Sequence, residues 1–189
     1  MKIRAYVLTF IAYLATHSLR TAYSFSKSYF KPEYNFSNTL LAVLDSSIYF
    51  AMGLGFFMRY FFMKKDIITS FFLTGLIYII SYALFPMLSL TGVIDESSAG
   101  WISLILMILF GYFQMNCWPV SFLLVSEYFT NEENGGLIGL WTTSSSIGNI
   151  LGYMLPAFFI LTLHEPWQVP NLILVAILFL TTLAVYMLV

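Results

Sequence analysis

Six apolar stretches, each about 20 residues or longer, follow one another along this chain with little between them. They run over residues 5–25, 40–62, 67–90, 100–125, 137–163 and 169–189. A helix of about 20 apolar residues crosses the ~30 Å hydrocarbon core of a bilayer, and inside that core the backbone has to satisfy its own polar groups. Charge falls mainly between the stretches: Lys27, Lys31 and Glu33 in the first connection, Arg59, Lys64, Lys65 and Asp66 in the second, Asp95 and Glu96 in the third. Glu127, Glu132 and Glu133 follow in the fourth, His164 and Glu165 in the fifth. Only 9% of the residues are charged, where soluble domains carry about 25%. The pattern predicts an all-α membrane protein with six transmembrane helices, residues 1–189 forming one bundle, and no domain outside the bilayer. Pro86, Pro119 and Pro156 predict kinks in the third, fourth and fifth helices.

The distribution of basic residues predicts an orientation. With the N-terminus in the cytoplasm, Lys2, Arg4, Arg59, Lys64 and Lys65 are cytoplasmic, and only Lys27 and Lys31 lie on the far side. An even number of spans then puts the C-terminus inside as well. Asn35-Phe36-Ser37 is a glycosylation sequon in the first far-side connection. Lys2 and Arg4 also resemble the basic end of a signal peptide, but the apolar run after them contains His17 and Arg20 and no small-residue cleavage site follows. The expectation is a retained first span. The last stretch stays apolar to Val189, which predicts a truncated or half-length chain.

Several function classes lack their residues. No Lys- or Arg-rich cluster points to nucleic acid. Cys117 stands alone, which rules out an internal disulfide, and His17 and His164 have no metal-ligand spacing. There is no pair of carboxylates or nucleophile with its base to suggest an enzyme, and no cofactor is expected.

Arg20 is the anomaly. A cation at membrane depth costs at least roughly 2.5–3.5 kcal/mol on insertion scales and faces a cavity or a partner. Tyr13, His17, Arg20, Ser24 and Lys27 recur at steps of four, three, four and three, which sets them on one helix face. A basic stripe at that depth suits an anion, and a guanidinium grips phosphate oxygens at two points. The alternatives are a pair with Asp45, the one acid inside a span, or snorkelling to the interface. Trp118, beside Pro119 in the fourth helix, either stacks on a substrate or packs. In the fifth helix, Ser144, Gly148 and Gly152 form a ladder of small residues that lets two helices approach closely. Asn149 on the same helix needs a partner, from Arg20, a substrate or a neighbouring helix.

These motifs resemble a known family. Phe10-Ile-Ala-Tyr13, His17-Ser-Leu-Arg20 and Ser24-Phe-Ser-Lys27-Ser28 are similar to the first helix of the sugar-phosphate exchangers. These are the glucose-6-phosphate translocase relatives among the organophosphate:phosphate antiporters of the major facilitator superfamily. Gln114 with Trp118-Pro119 resembles their fourth helix, and Gly139-Leu-Trp141 with Ser146-Ile-Gly148-Asn149-Ile-Leu-Gly152 resembles their fifth. The resemblance spans nearly the whole chain but only the family's N-terminal half. It implies twelve helices in two bundles with a midplane site between them, and exchange of a phosphate monoester for inorganic phosphate. It also implies an endoplasmic-reticulum or other endomembrane location and a substrate-binding role for Arg20. The residues themselves offer His17, Lys27, Tyr13, Trp118 and Asn149 as further candidate substrate contacts. The partners expected are an organophosphate, inorganic phosphate, the lipid bilayer and a C-terminal half or second subunit.

The chain departs from the family at three places: Thr21 stands where a basic residue is usual, Gly55-Phe-Phe-Met-Arg59 replaces a Gly-x-x-x-Asp-Arg pattern, and Thr130-Asn-Glu-Glu-Asn134 replaces a basic loop. The competing function is a half-bundle that transports nothing and pairs with or regulates a full-length exchanger.

Overall fold

The structure is a computed structural model that describes residues 2–62, 66–129 and 131–189. Lys64, Lys65 and the side chains of Arg59, Glu132 and Glu133, which enter the orientation count and the loop assignments, lie outside the described part. The elements are α1 (Lys2–Glu33), α2 (Asn38–Phe62), α3 (Ile67–Leu90), α4 (Glu96–Ser126), α5 (Asn131–Ala157) and α6 (Gln168–Leu188). No strand occurs among the described residues. Among the described residues, three starts carry side-chain caps that satisfy otherwise orphaned amides. Ser37 accepts from Leu40 N at 3.0 Å, Asp66 from Thr69 N at 3.1 Å and Asp95 from Ser98 N at 2.9 Å.

α1 is longer than its apolar run. Its 32 residues extend about 48 Å at ~1.5 Å each. Hydropathy ends at Phe25, yet the helix continues to Glu33 because its last turns are packed. Phe30 is buried among Phe36, Phe85 and Trp167, with ring centroids 5.3–6.0 Å away. In α5 the consequence of Pro156 is specific. Proline cannot donate to the turn before it, and the next residues, Phe158–Thr162, wind as a π-helical turn in which Leu163 N donates to Phe158 O at 3.3 Å.

Neighbouring helices run in the order α2, α4, α3, α6, α1, α5, and α1 also touches α4 across the middle. Two seams are set by glycine. At Gly111, a Cβ would lie 2.9 Å from Ile48 Cα, so α4 rests directly on the backbone of α2. At Gly152, a Cβ would lie 2.7 Å from Thr21 Cβ, and α5 meets α1 as closely. Such contacts replace the hydrophobic drive that lipid does not supply.

Polar bonds stitch α1, α3 and α6 together toward one end. Trp167 Nε1 donates to Glu33 at 2.6 Å, Tyr34 and Gln168 both donate to Ser89 Oγ at 2.7 and 2.8 Å, and Asn171 donates to Ser26 Oγ at 2.8 Å. Deeper in, Tyr78 stacks on Phe110 and donates to Thr16 O at 2.9 Å. The sequon residue Asn35 is exposed in the α1–α2 turn at φ 50°, with its amide on Glu96 at 2.9 Å.

Five helices are long and apolar enough to cross a membrane: α2 over Asn38–Phe57, α3, α4, α5 with the π turn over Gly135–Thr162, and α6. The chain is therefore a multi-pass membrane protein. α1 is the least apolar of the six, because its polar stripe interrupts it. It does not qualify as a span on composition, where the sequence predicted six. It packs instead against α4, α5 and α6.

Candidate functional site

The close seam between α1 and α5 builds the site. Gly148 packs on α1 where a Cβ would come 2.9 Å from His17 Cβ, and Ser18 Oγ donates across the seam to Gly148 O at 2.9 Å. Ser144, one turn earlier, is fully buried with its hydroxyl on Trp141 O at 2.6 Å. With its glycine neighbours against α1, Asn149 is brought to Arg20 and Thr21. Its Oδ1 accepts from Thr21 Oγ1 at 2.9 Å and stands 3.4 Å from Arg20 Nη2. His17 Nδ1 lies 3.4 Å from the same guanidinium nitrogen.

These two contacts to Arg20 are long for hydrogen bonds, whose usual N···O distance is about 2.9–3.0 Å. Both partners are uncharged when His17 is neutral, and among the described residues no carboxylate forms an ion pair with Arg20. A guanidinium carries five N–H donors, so most remain free for a ligand. Beside it opens a cleft of about 330 Å³ lined by Arg20, Thr21, Ser24, Tyr49, Asn149 and Tyr153, within the size range of small-molecule sites.

Asp45 does pair with a cation, but with Lys27 rather than Arg20. Lys27 Nζ donates to both oxygens, at 2.8 and 2.6 Å. The reason is the register of the antiparallel pair: Lys27 lies six residues before α1 ends and Asp45 seven after α2 begins, so they stand at one level. Arg20 sits about two turns deeper.

The remaining predicted residues are distributed differently. Tyr13 is buried between Trp141, on which it stacks with centroids 4.8 Å apart, and His17, which it meets edge-on at 4.7 Å. Trp141 is itself fully buried and donates to Thr9 Oγ1 at 3.2 Å. Tyr13 therefore stands behind the cleft and braces His17. Trp118 is 40% exposed, stacks on Phe122 of its own helix at 5.4 Å and does not line the cleft.

Sequence reasoning missed Tyr49, Tyr153 and Thr21. Tyr49 follows Asp45 by four residues and Tyr153 follows Asn149 by four, so helical periodicity from each polar residue pointed to them. Thr21 was legible only as a departure from the family pattern. It is the residue that fixes the Asn149 amide.

Cys117 is buried, and no His, Cys, Asp or Glu group suited to a metal occurs among the described residues.

Comparison with known proteins identifies the family. Residues 5–189 match the Major Facilitator Superfamily. The chain is 27% identical over 170 residues to a phosphoglycerate transporter protein of Salmonella typhimurium, covering 88% of this chain and 35% of that protein. It is 26% identical over 126 residues to a glucose-6-phosphate exchanger of Danio rerio, covering 67% and 25%. A probable hexose phosphate transport protein of Chlamydia pneumoniae is 24% identical over 163 residues, covering 84% and 33%. The chain thus spans about a third or less of the length of these curated relatives. No solved structure matches. The relatives are transporters of phosphorylated compounds, not enzymes. By a match that covers nearly its whole length, this chain belongs to the Major Facilitator Superfamily.

Proposed function

We propose that the chain forms one bundle of a transporter that exchanges a phosphate monoester, such as glucose 6-phosphate, for inorganic phosphate by alternating access. The observation that carries this reading is Arg20: a guanidinium within the helix bundle, lining a cleft, held among the described residues by long contacts to His17 and Asn149. The names of the relatives agree with a phosphorylated cargo. In this reading α1 is a sixth span whose charged face is tolerated because it lines the substrate path. A second bundle, from the same gene or another subunit, supplies the opposite wall, and rocking of the two exposes the site alternately. Exchange follows because an empty, positively charged site does not readily reorient. Both termini are cytoplasmic, and the host membrane is the endoplasmic reticulum or another endomembrane.

Proteoliposomes loaded with inorganic phosphate and containing the full-length gene product test the reading. Labelled glucose 6-phosphate is expected to accumulate, and to do so only with phosphate inside. Uptake that ignores internal phosphate overturns exchange, and absence of uptake overturns transport of this substrate.

Asn149 offers a sharper test of the site. Asn149→Asp sets a carboxylate where the amide oxygen now stands 3.4 Å from Arg20. Pairing then neutralises the guanidinium, and phosphate uptake should fall at least about tenfold while the helix content by circular dichroism stays unchanged. Undiminished uptake removes Arg20 from the substrate's path.

Orientation is checked separately. Cysteines placed near either terminus are expected to react with an impermeant maleimide only from the cytoplasmic side. Labelling of the two termini from opposite sides would mean an odd number of spans.

A further inference from the structure

Lys27 and Asp45 stand over one end of the Arg20 cleft. Ser24 and Tyr49 line that cleft. Lys27 follows Ser24 by about one turn of α1, and Asp45 precedes Tyr49 by one turn of α2. The ammonium holds both carboxylate oxygens, at 2.8 and 2.6 Å, and lies 5.5 Å from the centroid of the Tyr23 ring. The side chains are 21% and 39% exposed, so the pair is partly withdrawn from solvent. α1 and α2 are not among the extensively packed helix pairs. This ion pair and the bond from Lys31 Nζ to Asn38 Oδ1 at 2.6 Å join them.

The pair sets the charge that this wall shows to an anion. Arg20 meets neutral partners and keeps its charge for a ligand. Lys27 is already balanced. Two cations line the stripe, but only one is uncompensated.

We propose that Asp45 is a specificity-determining residue: by neutralising Lys27 it holds this wall of the cleft to a single positive charge and so limits its preference for dianions over monoanions. The proposal rests on the anion-site reading of Arg20 and concerns which anions that site favours. Lys27 lies about 10 Å along the helix axis from Arg20. At that range, with an effective dielectric constant of about 20, a freed ammonium separates a dianion from a monoanion by roughly tenfold. Asp45 acts on the ligand through Lys27. Its effect should therefore appear in the ratio of affinities for ligands of different charge, which loss of packing alone does not change.

The test uses glucose 6-phosphate and glucose 6-sulfate, which share a tetrahedral head group and differ by one unit of charge. At about pH 8 the phosphate is a dianion, since a monoester's second pKa is ~6. Dissociation constants are measured on the full-length gene product in nanodiscs. Asp45→Asn is expected to raise the phosphate-over-sulfate preference about tenfold. Lys27→Met leaves the carboxylate unbalanced and is expected to lower that preference about tenfold. The double variant Lys27→Met with Asp45→Asn removes both charges and should return the ratio to that of the unaltered protein. A ratio within about twofold of the unaltered one in either single variant that folds overturns the proposal and leaves Arg20 untouched. Single and double variants that shift the ratio alike also overturn it, because the pair then acts as a structural clamp. Failure of the unaltered protein to bind either sugar ester overturns the anion-site reading itself, and this proposal with it.

Discussion

Arg20→Ala is expected to abolish sugar-phosphate exchange without harming the fold. Removing one member of a desolvated charge pair costs about 2–5 kcal/mol, which at ~1.4 kcal/mol per decade predicts a fall in exchange of about 30-fold to several thousand-fold. The change in stability should run the other way. Among its described contacts Arg20 has no carboxylate and makes two long ones. Its removal relieves a cost of burying charge rather than breaking a support. The melting temperature in detergent should therefore hold or rise while transport is lost. Arg20→Lys retains the charge but not the two-point fork, and should recover only part of the activity. Normal exchange by Arg20→Ala would sink the assignment of the site. A large drop in melting temperature would make Arg20 a structural residue instead.

Gly152→Ala should damage the α1–α5 seam. The added carbon would lie 2.7 Å from Thr21 Cβ and 2.9 Å from Ser18 Cα. Neither belongs to a flexible side-chain tip, so α1 and α5 must separate. Overpacking of this kind costs about 1–3 kcal/mol, and here it acts on the seam that carries Asn149 to Arg20. Both thermal stability and exchange should fall together. Gly139→Ala, on the same helix, is the control. Nothing lies within 4 Å of a Cβ there, and alanine is favoured over glycine in a helix by about 1 kcal/mol. That variant should be neutral or more stable. Equal effects at the two positions would refute close packing as the reason for Gly152.

Much of this was legible from the residues, for identifiable reasons. Hydropathy located the apolar cores of the helices, because a bilayer imposes a length on each one. It misjudged the end of α1, since Ser26–Glu33 is helical through the packing of Phe30 and the bonds of Glu33 and Tyr34, none of which is a property of the segment alone. The stripe Tyr13, His17, Arg20 and Asn149's need for a partner pointed toward one place. Helical spacing did not separate the residues that line the cleft from those that brace it. Tyr13 follows the same period as Arg20 yet is covered by Trp141. Nor did it identify the partner of Asp45, which depends on the four-residue connection at residues 34–37 and the register it imposes. Trp118 shows the limit most clearly. A tryptophan beside a proline in a membrane helix has the same local pattern whether it meets a ligand or lipid, and only the rotation of α4 about its axis distinguishes them.

The central position of α1 has a mechanical consequence. The helix that carries Arg20 is gripped by α4, α5 and α6 along its length, and its last turns are bolted to α3 and α6 by Glu33, Tyr34 and Ser26. Sliding or tilting it alone would break these bonds. Arg20 is therefore like a fitting welded to a chassis: in the proposed transporter, a stroke that turned it from one side of the membrane toward the other would swing the whole frame. The compliance for that stroke then has to come from surfaces that this frame presents outward, where α2 and α5 carry exposed side chains such as Tyr49, Phe50, Tyr153 and Met154.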